Sequence, residues 1–477
     1  MAARVWALRR FRLFWAGDTI SAAGGALSAV AVPLLAIGTL HASDTFVGVL
    51  RAAQTLPFLL LAVPIGLLAD RVSRRRLLLA ADAVRFPLTA VIALAGASLP
   101  LGGLVTLVFT IGIATIAYEV AYLSVLPELV ATPAHLPAAN RAVESAHAGA
   151  ILLGPAVGGA LVAALSAPAV IALDALSFAV GAALTALNRW DRHPHQPPPP
   201  TMSPDGAAPA RSAGGAGAGG VAAGGAVAGG AVAGGGAAGG AAAGGVAAGG
   251  AAAGERALTA GWNWLRRDRY VRPLTLYLAA NNVGAQAFQT ALLLFVVRVL
   301  DRGAAAVGLA VAATGGGFLL GALVSPGAAG RLGTGRVVIA ASLIGASGIG
   351  AVAIAGGLPP VLLGSALAGA GSGLFNLHSI AIRQTVTPPR LLGRVNAVVK
   401  TISYGSATTG AFAGGVTAAA FGARAVIAAS ALVSAAATVC LLTPAIRTLT
   451  GTPAPRRGGP GVGARQTSDT PGDTALE

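Results

Sequence analysis

The sequence has very little of what a water-soluble protein of its size needs. Only 10% of its 477 residues are charged and 5% are aromatic, while 55% are hydrophobic and the mean hydropathy is +0.75. Soluble domains carry about 25% charged residues, so a chain of soluble domains is excluded. Cys440 is the only cysteine, which excludes an internal disulfide and a thiolate metal site. Lys400 is the only lysine and follows no glycine-rich loop, so the P-loop of an ATP-driven pump is absent.

Apolar runs long enough to cross a bilayer recur along the chain. A spanning helix needs about 20 apolar residues, and the runs lie at roughly 13–40, 45–68, 77–97, 101–126, 142–164, 168–187, 273–298, 304–326, 337–356, 359–382, 397–421 and 424–446. The first run is too long for a signal peptide and lacks a clear cleavage site, so it is expected to be an uncleaved span. The sequence therefore predicts an all-α integral membrane protein with twelve transmembrane helices in two six-helix halves.

A segment of different composition separates the two halves. The run HPHQPPPP at 193–200 cannot be helical, and seven pentapeptides that each begin with Gly-Gly fill 219–253. Each interior glycine costs a helix about 1 kcal/mol relative to alanine, so a flexible linker is favoured over a further span. The predicted organisation is an N-terminal half (1–190), a cytoplasmic linker (191–254), a C-terminal half with a short amphipathic lead-in (255–447) and a disordered tail (448–477).

The excess of 32 basic over 16 acidic residues is explained by orientation. With the N-terminus inside and twelve spans, nearly all basic residues fall on the cytoplasmic side, and only Arg298, Arg302 and Arg424 fall outside. This bias is the positive-inside rule of membrane proteins. Both termini are therefore predicted to be cytoplasmic, and a nucleic-acid partner is unnecessary.

The two halves also repeat each other. Five residues recur with an offset of 256, as the pairs Pro133/Pro389, Asn140/Asn396, Gly154/Gly410, Gly158/Gly414 and Gly159/Gly415. The loop DRVSRRR at 70–76 aligns with GRLGTGR at 330–336 with an offset of 260. Parallel duplication of a six-helix unit is a transporter architecture with a central site between the halves. The alternative is a coincidence of glycine positions.

The connection after the second run carries clustered charges. Gly66 allows close helix packing, and Asp70 lies beside Arg71, Arg74 and Arg75, a cluster that can lock and release a conformation. The alternative is that the arginines only anchor the topology. The stretch GLLADRVSRRR resembles the loop 2–3 signature of the major facilitator superfamily, with a serine where that signature usually has glycine.

The fifth run contains AILLGPAVGG at 150–159. The small residues Gly154 and Gly158 let helices approach closely, and Pro155 can kink the helix; both are consistent with a plain packing face. Together with Gly159, the stretch also resembles a signature of exporters in the same superfamily, with alanine replacing its first glycine. The resemblance implies export by antiport.

Four further stretches resemble the branch of macrolide-efflux-like and enterobactin-exporter-like transporters. They are YEVAYLSVLPELV at 118–130, LPAANRAVES at 136–145, IALDALSFAVGA at 171–182 and ERALTAGWNWLRRDRYVRPL at 255–274. The resemblance covers nearly the whole chain outside the glycine-rich linker and the tail. It implies a multi-pass protein of the bacterial cytoplasmic (plasma) membrane and does not specify a substrate.

Charged residues inside the predicted spans are functional candidates because burying them in lipid is costly. Asp18 lies on span 1 and Glu119 on span 4, and in the superfamily spans 1, 4, 7 and 10 line the central cavity. We predict both as proton-coupling carboxylates; the alternative is a polar network that only sets gating.

Two pairs of charged or ionisable residues have a spacing that places them on one helix face. Asp82 with Arg85, and Glu144 with His147, lie three residues apart and are predicted to pair structurally. Arg51 and Asp174 both fall in the outer halves of their spans, which allows a pairing without supporting it.

Polar residues on the spans suggest a substrate cavity. Asn282, Gln286 and Gln289 follow an i, i+4, i+7 stripe on span 7. With Asn376 on span 10 and with Tyr118 and Tyr122 beside the span-4 carboxylate, they are predicted to hydrogen-bond a substrate.

The sequence thus predicts a transporter and not an enzyme. We expect a proton-coupled antiporter that exports a small organic molecule, such as a drug, an antibiotic or a siderophore-like metabolite. The expected energy source is the proton gradient, with no cofactor and no metal; the expected partners are the substrate, protons and the lipid bilayer, and the protein is expected to be a monomer. The alternatives are an importer or facilitator of the same fold, and a membrane sensor or scaffold that does not transport.

Overall fold

The computed structural model describes residues 2–69, 72–130, 132–188, 259–451 and 453. Within these ranges the chain is helical and contains no strand. A short helix, Ala2–Ala7, precedes twelve helices of 15 residues or more. These are α1 (Arg9–Leu34), α2 (Asp44–Ala69), α3 (Arg74–Ala95), α4 (Leu101–Leu129), α5 (Leu136–Ala164), α6 (Ala167–Leu187), α7 (Val271–Leu294), α8 (Ala304–Leu332), α9 (Thr334–Ala353), α10 (Leu358–Val386), α11 (Pro389–Phe421) and α12 (Ala423–Ala437). The predicted linker, Asp70 and Arg71 lie outside the described residues.

Eleven of these twelve helices are long and apolar enough to cross a membrane. The exception is α11. Its first turns carry the basic residues Arg390, Arg394 and Lys400, and the part that follows is rich in serine and threonine. The prediction of an all-α membrane protein is therefore confirmed. The crossing of the membrane by all twelve helices and the cytoplasmic location of both ends stay predictions.

The two sets of six helices pack by the same pattern. Helix α1 packs against α5 and α6, α3 packs against α4 and α6, and α2 packs against α4. The same pairs recur six helices later: α7 against α11 and α12, α9 against α10 and α12, and α8 against α10. This arrangement confirms the internal repeat that the offsets in the sequence predict.

An uncommon backbone feature recurs in both halves. Helix α1 continues into a π-helix at Leu35–Thr39, and α7 continues into one at Phe295–Val299. The residues that follow, His41 and Asp301, have φ of 51° and 50°, a region that residues other than glycine rarely adopt. The two copies lie 260 residues apart, which is the offset of the aligned loops.

The halves meet along two helix pairs related by the same symmetry. Helix α2 packs against α11, and α5 packs against α8, whereas α4 and α10 are not among the packed pairs. We call the end of the bundle that holds residue 9 and the α2–α3 connection the terminal end, and the opposite end the distal end. Since α4 is not packed against the helices of the C-terminal half, we call the region between them the space between the halves.

Candidate functional site

A network centred on one buried carboxylate joins three helices of the N-terminal half. The Asp18 carboxylate on α1 is 3% exposed and accepts a hydrogen bond from the Tyr118 hydroxyl on α4 at 3.1 Å. Its other oxygen lies 2.8 Å from Nε2 of His147 on α5. The His147 ring stacks on Tyr122, with 5.4 Å between centroids. Because a buried carboxylate needs partners of this kind, the three helices are held together at a group that can bind a proton.

A buried ion pair on α3 adjoins this network. Asp82 and Arg85 form the predicted pair, and both are buried. The Arg85 guanidinium also lies 4.1 Å from the centre of the Tyr118 ring and 4.4 Å from that of Phe178. Cation–π contacts of this kind are stabilising, so Arg85 connects α3 and α6 to the tyrosine that bonds Asp18.

The predicted Glu144–His147 pair and the allowed but unsupported Arg51–Asp174 pair have different outcomes. His147 interacts electrostatically with Glu144, but its ring hydrogen-bonds Asp18. The Asp174 carboxylate lies 3.3 Å from the hydroxyl of Ser177, which donates to it. No ion pair between the described side chains joins Asp174 to Arg51, which is 7% exposed on α2.

Opposite charges face each other across the space between the halves. Glu119 on α4 is half-buried, and its charge interacts with Lys400 on α11. Lys400 is exposed, and it forms no ion pair with Glu119 among the described side chains. Arg383 on α10 is close enough to Lys400 for the two cations to interact, and Tyr404 is likewise close to Glu119. The site therefore presents an acidic side chain on one half and two basic side chains on the other.

Aromatic and hydroxyl contacts close this space on its distal side. The Tyr404 ring of α11 stacks on Phe58 of α2, with 5.0 Å between centroids and 21° between planes. One turn further along, the hydroxyls of Thr55 and Thr408 are 2.8 Å apart. The two halves are thus in direct contact from this level towards the distal end.

Glycines allow the closest approach of the halves at the distal end. A Cβ built on Gly159 of α5 would lie 2.8 Å from the Cα of Gly308 on α8. By the same construction, a Cβ on Gly48 of α2 would lie 2.7 Å from the Cα of Gly415 on α11. Real Cβ atoms essentially never come this close to other atoms. Gly159 and its repeat Gly415 therefore occupy equivalent places in the two interfaces.

The remaining glycines of the α5 sequence face a different helix. A Cβ on Gly158 would lie 3.1 Å from the backbone of Leu27 on α1, and Gly154 faces Ala26 of the same helix. Pro155 lies between them within α5. Gly154 and Gly158 thus form an internal packing face of the N-terminal half, whereas Gly159 faces the other half.

An ion pair adds to the distal closure. The Arg298 guanidinium at the end of α7 pairs with Asp44 at the start of α2 and donates to the carbonyl of Ala42 at 2.6 Å. Both partners are partly exposed, and such pairs contribute about 1 kcal/mol or less. The ion pair therefore makes only a small contribution to closure.

Replacing Arg298 with Gln is expected to loosen the distal end slightly. A loss of up to about 1 kcal/mol changes an equilibrium by roughly fivefold, so amide hydrogen exchange in the 40–44 and 300–303 segments should rise by that factor or less. The matched control is Arg302→Gln, an exposed neighbour outside the ion pair. Unchanged exchange in Arg298→Gln would show that the ion pair does not stabilise closure.

The described residues of the predicted switch loop tie helices together within the N-terminal half. Arg75 donates to the carbonyls of Ala186 at 2.8 Å, Asn188 at 3.2 Å and Thr185 at 3.3 Å, at the end of α6. These carbonyls are unpaired at a helix end and attract cations. Arg74 forms an ion pair with Glu128 near the end of α4.

Gly66, predicted to allow close packing, is not in a crowded place. A Cβ built on it would meet no atom within 4 Å. The structure therefore shows no close helix approach at this glycine.

The predicted polar stripe of α7 divides between two environments. The Asn282 amide donates to the carbonyl of Ser403 on α11 at 3.4 Å, and Gln286 is half-buried. Gln289 is 2% exposed and lines a small cavity inside the C-terminal half, between α7, α8, α9 and α10. On α10, Asn376 is half-buried, and its Oδ1 has no hydrogen-bond partner among the described residues.

Three residues of this site are absent from the sequence-based prediction of the site. His147 was assigned to a pair on its own helix, and Lys400 and Arg383 were counted as orienting charges. A signal for the two cations exists in the sequence: α7 to α12 contain no Asp or Glu, so a cation on those helices has no carboxylate partner there.

Comparison with known families covers both halves of the chain. Residues 5–204 match the family described as transmembrane secretion effector, and residues 274–470 match the Major Facilitator Superfamily. No curated protein matches the chain.

Solved structures of transporters share the fold. A bacterial homologue of the human lysosomal transporter Spinster is 14% identical, with 91% of this chain and 96% of that chain covered and a TM-score of 0.60. The nucleoside transporter NupG is 9% identical, with coverage of 92% and 99% and a TM-score of 0.63. A bacterial homologue of the iron transporter ferroportin is 14% identical, with coverage of 91% and 98% and a TM-score of 0.60. At these identities the likeness concerns the fold alone.

Proposed function

The chain belongs to the major facilitator superfamily, and from this premise we propose that it is a proton-coupled antiporter that exports a small organic molecule. The family and the fold make it a multi-pass membrane transporter rather than an enzyme. Export, the use of protons and a place in the bacterial cytoplasmic membrane are the proposal. It works as a monomer and needs no cofactor besides the proton gradient.

The observation that carries the proposal is the contact between Asp18 and His147. A carboxylate and an imidazole 2.8 Å apart inside a membrane helix bundle can hold and pass on a proton. The titratable groups that face this pair are Tyr118, Tyr122, Glu144, Glu119 and Asp82. Proton binding here changes the charge of a group that joins α1, α4 and α5, and thereby the packing of the half that must move.

Alternating access gives the distal contacts their role. The halves touch from the Phe58–Tyr404 stack to the distal glycines, whereas α4 and α10 are not packed together. With cytoplasmic termini, this arrangement is open to the cytoplasm, the state in which an exporter collects its substrate. Rocking of the halves would break the distal contacts and close the terminal end.

An importer of the same fold is the second candidate. It would share the duplicated halves and the distal closure. Export is favoured by the α5 sequence LLGPAVGG, which resembles an exporter signature and whose last glycine lies at the contact between the halves.

Transport in inverted membrane vesicles tests the proposal. A growth-inhibition panel in a pump-deficient host identifies an exported compound, and vesicles with an acidic lumen are then expected to accumulate it without ATP. A protonophore should abolish the accumulation, and vesicles that lack the protein are the control. Accumulation that a protonophore leaves unchanged would contradict proton coupling, and release instead of uptake would support the importer.

A further inference from the structure

The helices of the two halves differ in the sign of their charge. Among the described helices, α1 to α6 carry the buried or half-buried carboxylates Asp18, Asp44, Asp82, Glu119, Glu144 and Asp174. Helices α7 to α12 carry no carboxylate at all. Burying charges inside a membrane protein is costly. The difference in charge between the two halves is therefore expected to serve a function in the space between them.

Two neighbouring cations of the C-terminal half, Lys400 and Arg383, form no ion pair with a described side chain. Lys400 interacts with Glu119 across the space without an ion pair, so a gap separates the two charges. Arg383 is half-buried, and its Nε has no hydrogen-bond partner among the described residues. Intramembrane cations usually pair with a carboxylate or a backbone carbonyl. An anionic group placed between Lys400 and Arg383 would satisfy both.

A polar side chain and an aromatic side chain adjoin these charged residues. Asn376 lies seven residues before Arg383 on α10, which places both on one face of the helix, and its Oδ1 lacks a hydrogen-bond partner among the described residues. The half-buried Tyr404, whose ring stacks on the buried Phe58, bounds the space on its distal side. The site thus offers two cations, an acceptor, an acid and an aromatic surface.

We infer that the substrate is a small amphipathic zwitterion that bridges the two halves. Its carboxylate binds Lys400 and Arg383, its ammonium group binds Glu119, and its apolar part lies against the half-buried ring of Tyr404. This inference rests on the proposed function and names the substrate class of that same site.

The sign of the coupling favours a zwitterion over a simple anion. Glu119 is the second predicted coupling carboxylate, and it interacts electrostatically with His147 of the Asp18 site. An ammonium group on Glu119 competes with a proton for that carboxylate, which is the mutual exclusion that antiport requires. A simple anion on Lys400 would instead favour the protonated form of Glu119, because a proton there releases Lys400 from a competing negative charge. Because the two ends of the substrate bind different halves, substrate binding also depends on the relative position of the halves.

Binding to the purified full-length chain tests this inference. The probes are ω-aminocarboxylates of four to eight carbons, with alkylammonium ions and alkanoates of matching length, and the readout is the ligand-dependent rise in unfolding temperature. A hydrogen bond to a charged group is worth roughly 10- to 100-fold in affinity. We expect at least one aminocarboxylate to bind about tenfold tighter than both single-charge analogues.

Variants assign the two ends of the ligand. Lys400→Gln should lower the affinity for the aminocarboxylate to that of the alkylammonium ion, and Lys400→Arg should restore most of it. Glu119→Gln should lower it to that of the alkanoate. The matched controls are Arg390→Gln on the exposed start of α11 and Asp301→Asn in the distal connection, and both should keep the preference of the parent.

Three results would overturn the inference: equal binding of aminocarboxylate and alkylammonium, an equal loss of both in Lys400→Gln, or no rise in unfolding temperature with any probe. Monodisperse elution of each variant shows that it is folded. The assay contains no proton gradient, so its failure leaves proton-driven export of another substrate class intact. Failure of the vesicle assay would, in turn, leave a measured binding preference standing.

Discussion

Asp18→Asn is expected to abolish proton-driven accumulation while leaving downhill exchange of the substrate in place. Asparagine keeps the size of the side chain and can still bond Tyr118, but it cannot bind or release a proton. Exchange of one substrate for one proton across a gradient of one pH unit sustains about tenfold accumulation, since each decade is worth 1.4 kcal/mol. In vesicles, the variant should therefore fall from about tenfold accumulation to the equal concentrations of passive equilibrium.

The comparison of two transport modes makes this result specific. Counterflow of labelled against unlabelled substrate needs no proton gradient, so its survival in Asp18→Asn would show that the protein is folded and can change conformation. Asp301→Asn, the same substitution in the distal connection, is the matched control and should retain both modes. His147→Gln should also weaken proton-driven accumulation, because the imidazole hydrogen-bonds the Asp18 carboxylate.

Protonophore-sensitive accumulation in Asp18→Asn would remove Asp18 from the coupling role. Glu119 would then be the remaining predicted proton carrier, and Glu119→Gln in the same two assays would decide its part. Unchanged accumulation in both variants, with and without a protonophore, would contradict coupling through either carboxylate.

Features encoded by local sequence patterns could be predicted. Apolar runs of about 20 residues report helices one by one, and the constant offsets between the glycines report the duplication that the helix packing repeats. The pairing of Asp82 with Arg85 is of the same kind, because both lie on one helix three residues apart. In these cases the contact partners are neighbours in sequence or are related by a fixed offset.

Contacts between distant helices could not be predicted in the same way. Asp18 and His147 are 129 residues apart, and the rule that pairs residues on one helix face favoured Glu144 as the partner of His147. Lys400 was explained by the charge bias that orients the chain, although it lies opposite Glu119 on the other half. A spacing rule sees one helix at a time, whereas the rotation of each helix about its axis is set by packing against its neighbours.

Gly159→Val is expected to prevent the closed distal end and to stop transport. Its Cβ would lie 2.8 Å from the Cα of Gly308, so α5 and α8 would have to move apart. Overpacking of this kind costs about 1–3 kcal/mol, which shifts a two-state equilibrium by roughly 5- to 150-fold. The shift is towards the state in which the distal end is open, because only the closed state contains the clash.

A matched control exists on the same helix. A Cβ on Gly149 would meet no atom within 4 Å, so Gly149→Val adds the same side chain to α5 without a clash and should leave transport unchanged. The duplicated architecture supplies an independent copy of the prediction, since Gly415→Val would clash with Gly48 in the equivalent interface. Both interface variants should therefore have the same effect.

The conformational shift can be measured directly because the chain has a single native cysteine. With Cys440 replaced by serine, spin labels at Ser43 and Gly303, both exposed at the distal end of different halves, report the separation of the halves. Gly159→Val should lengthen this distance, whereas Gly149→Val should not. If valine prevents folding, Gly159→Ala gives a smaller shift in the same direction. A distance and a transport rate that both stay at the parental values in Gly159→Val would show that this glycine contact does not hold the distal end closed.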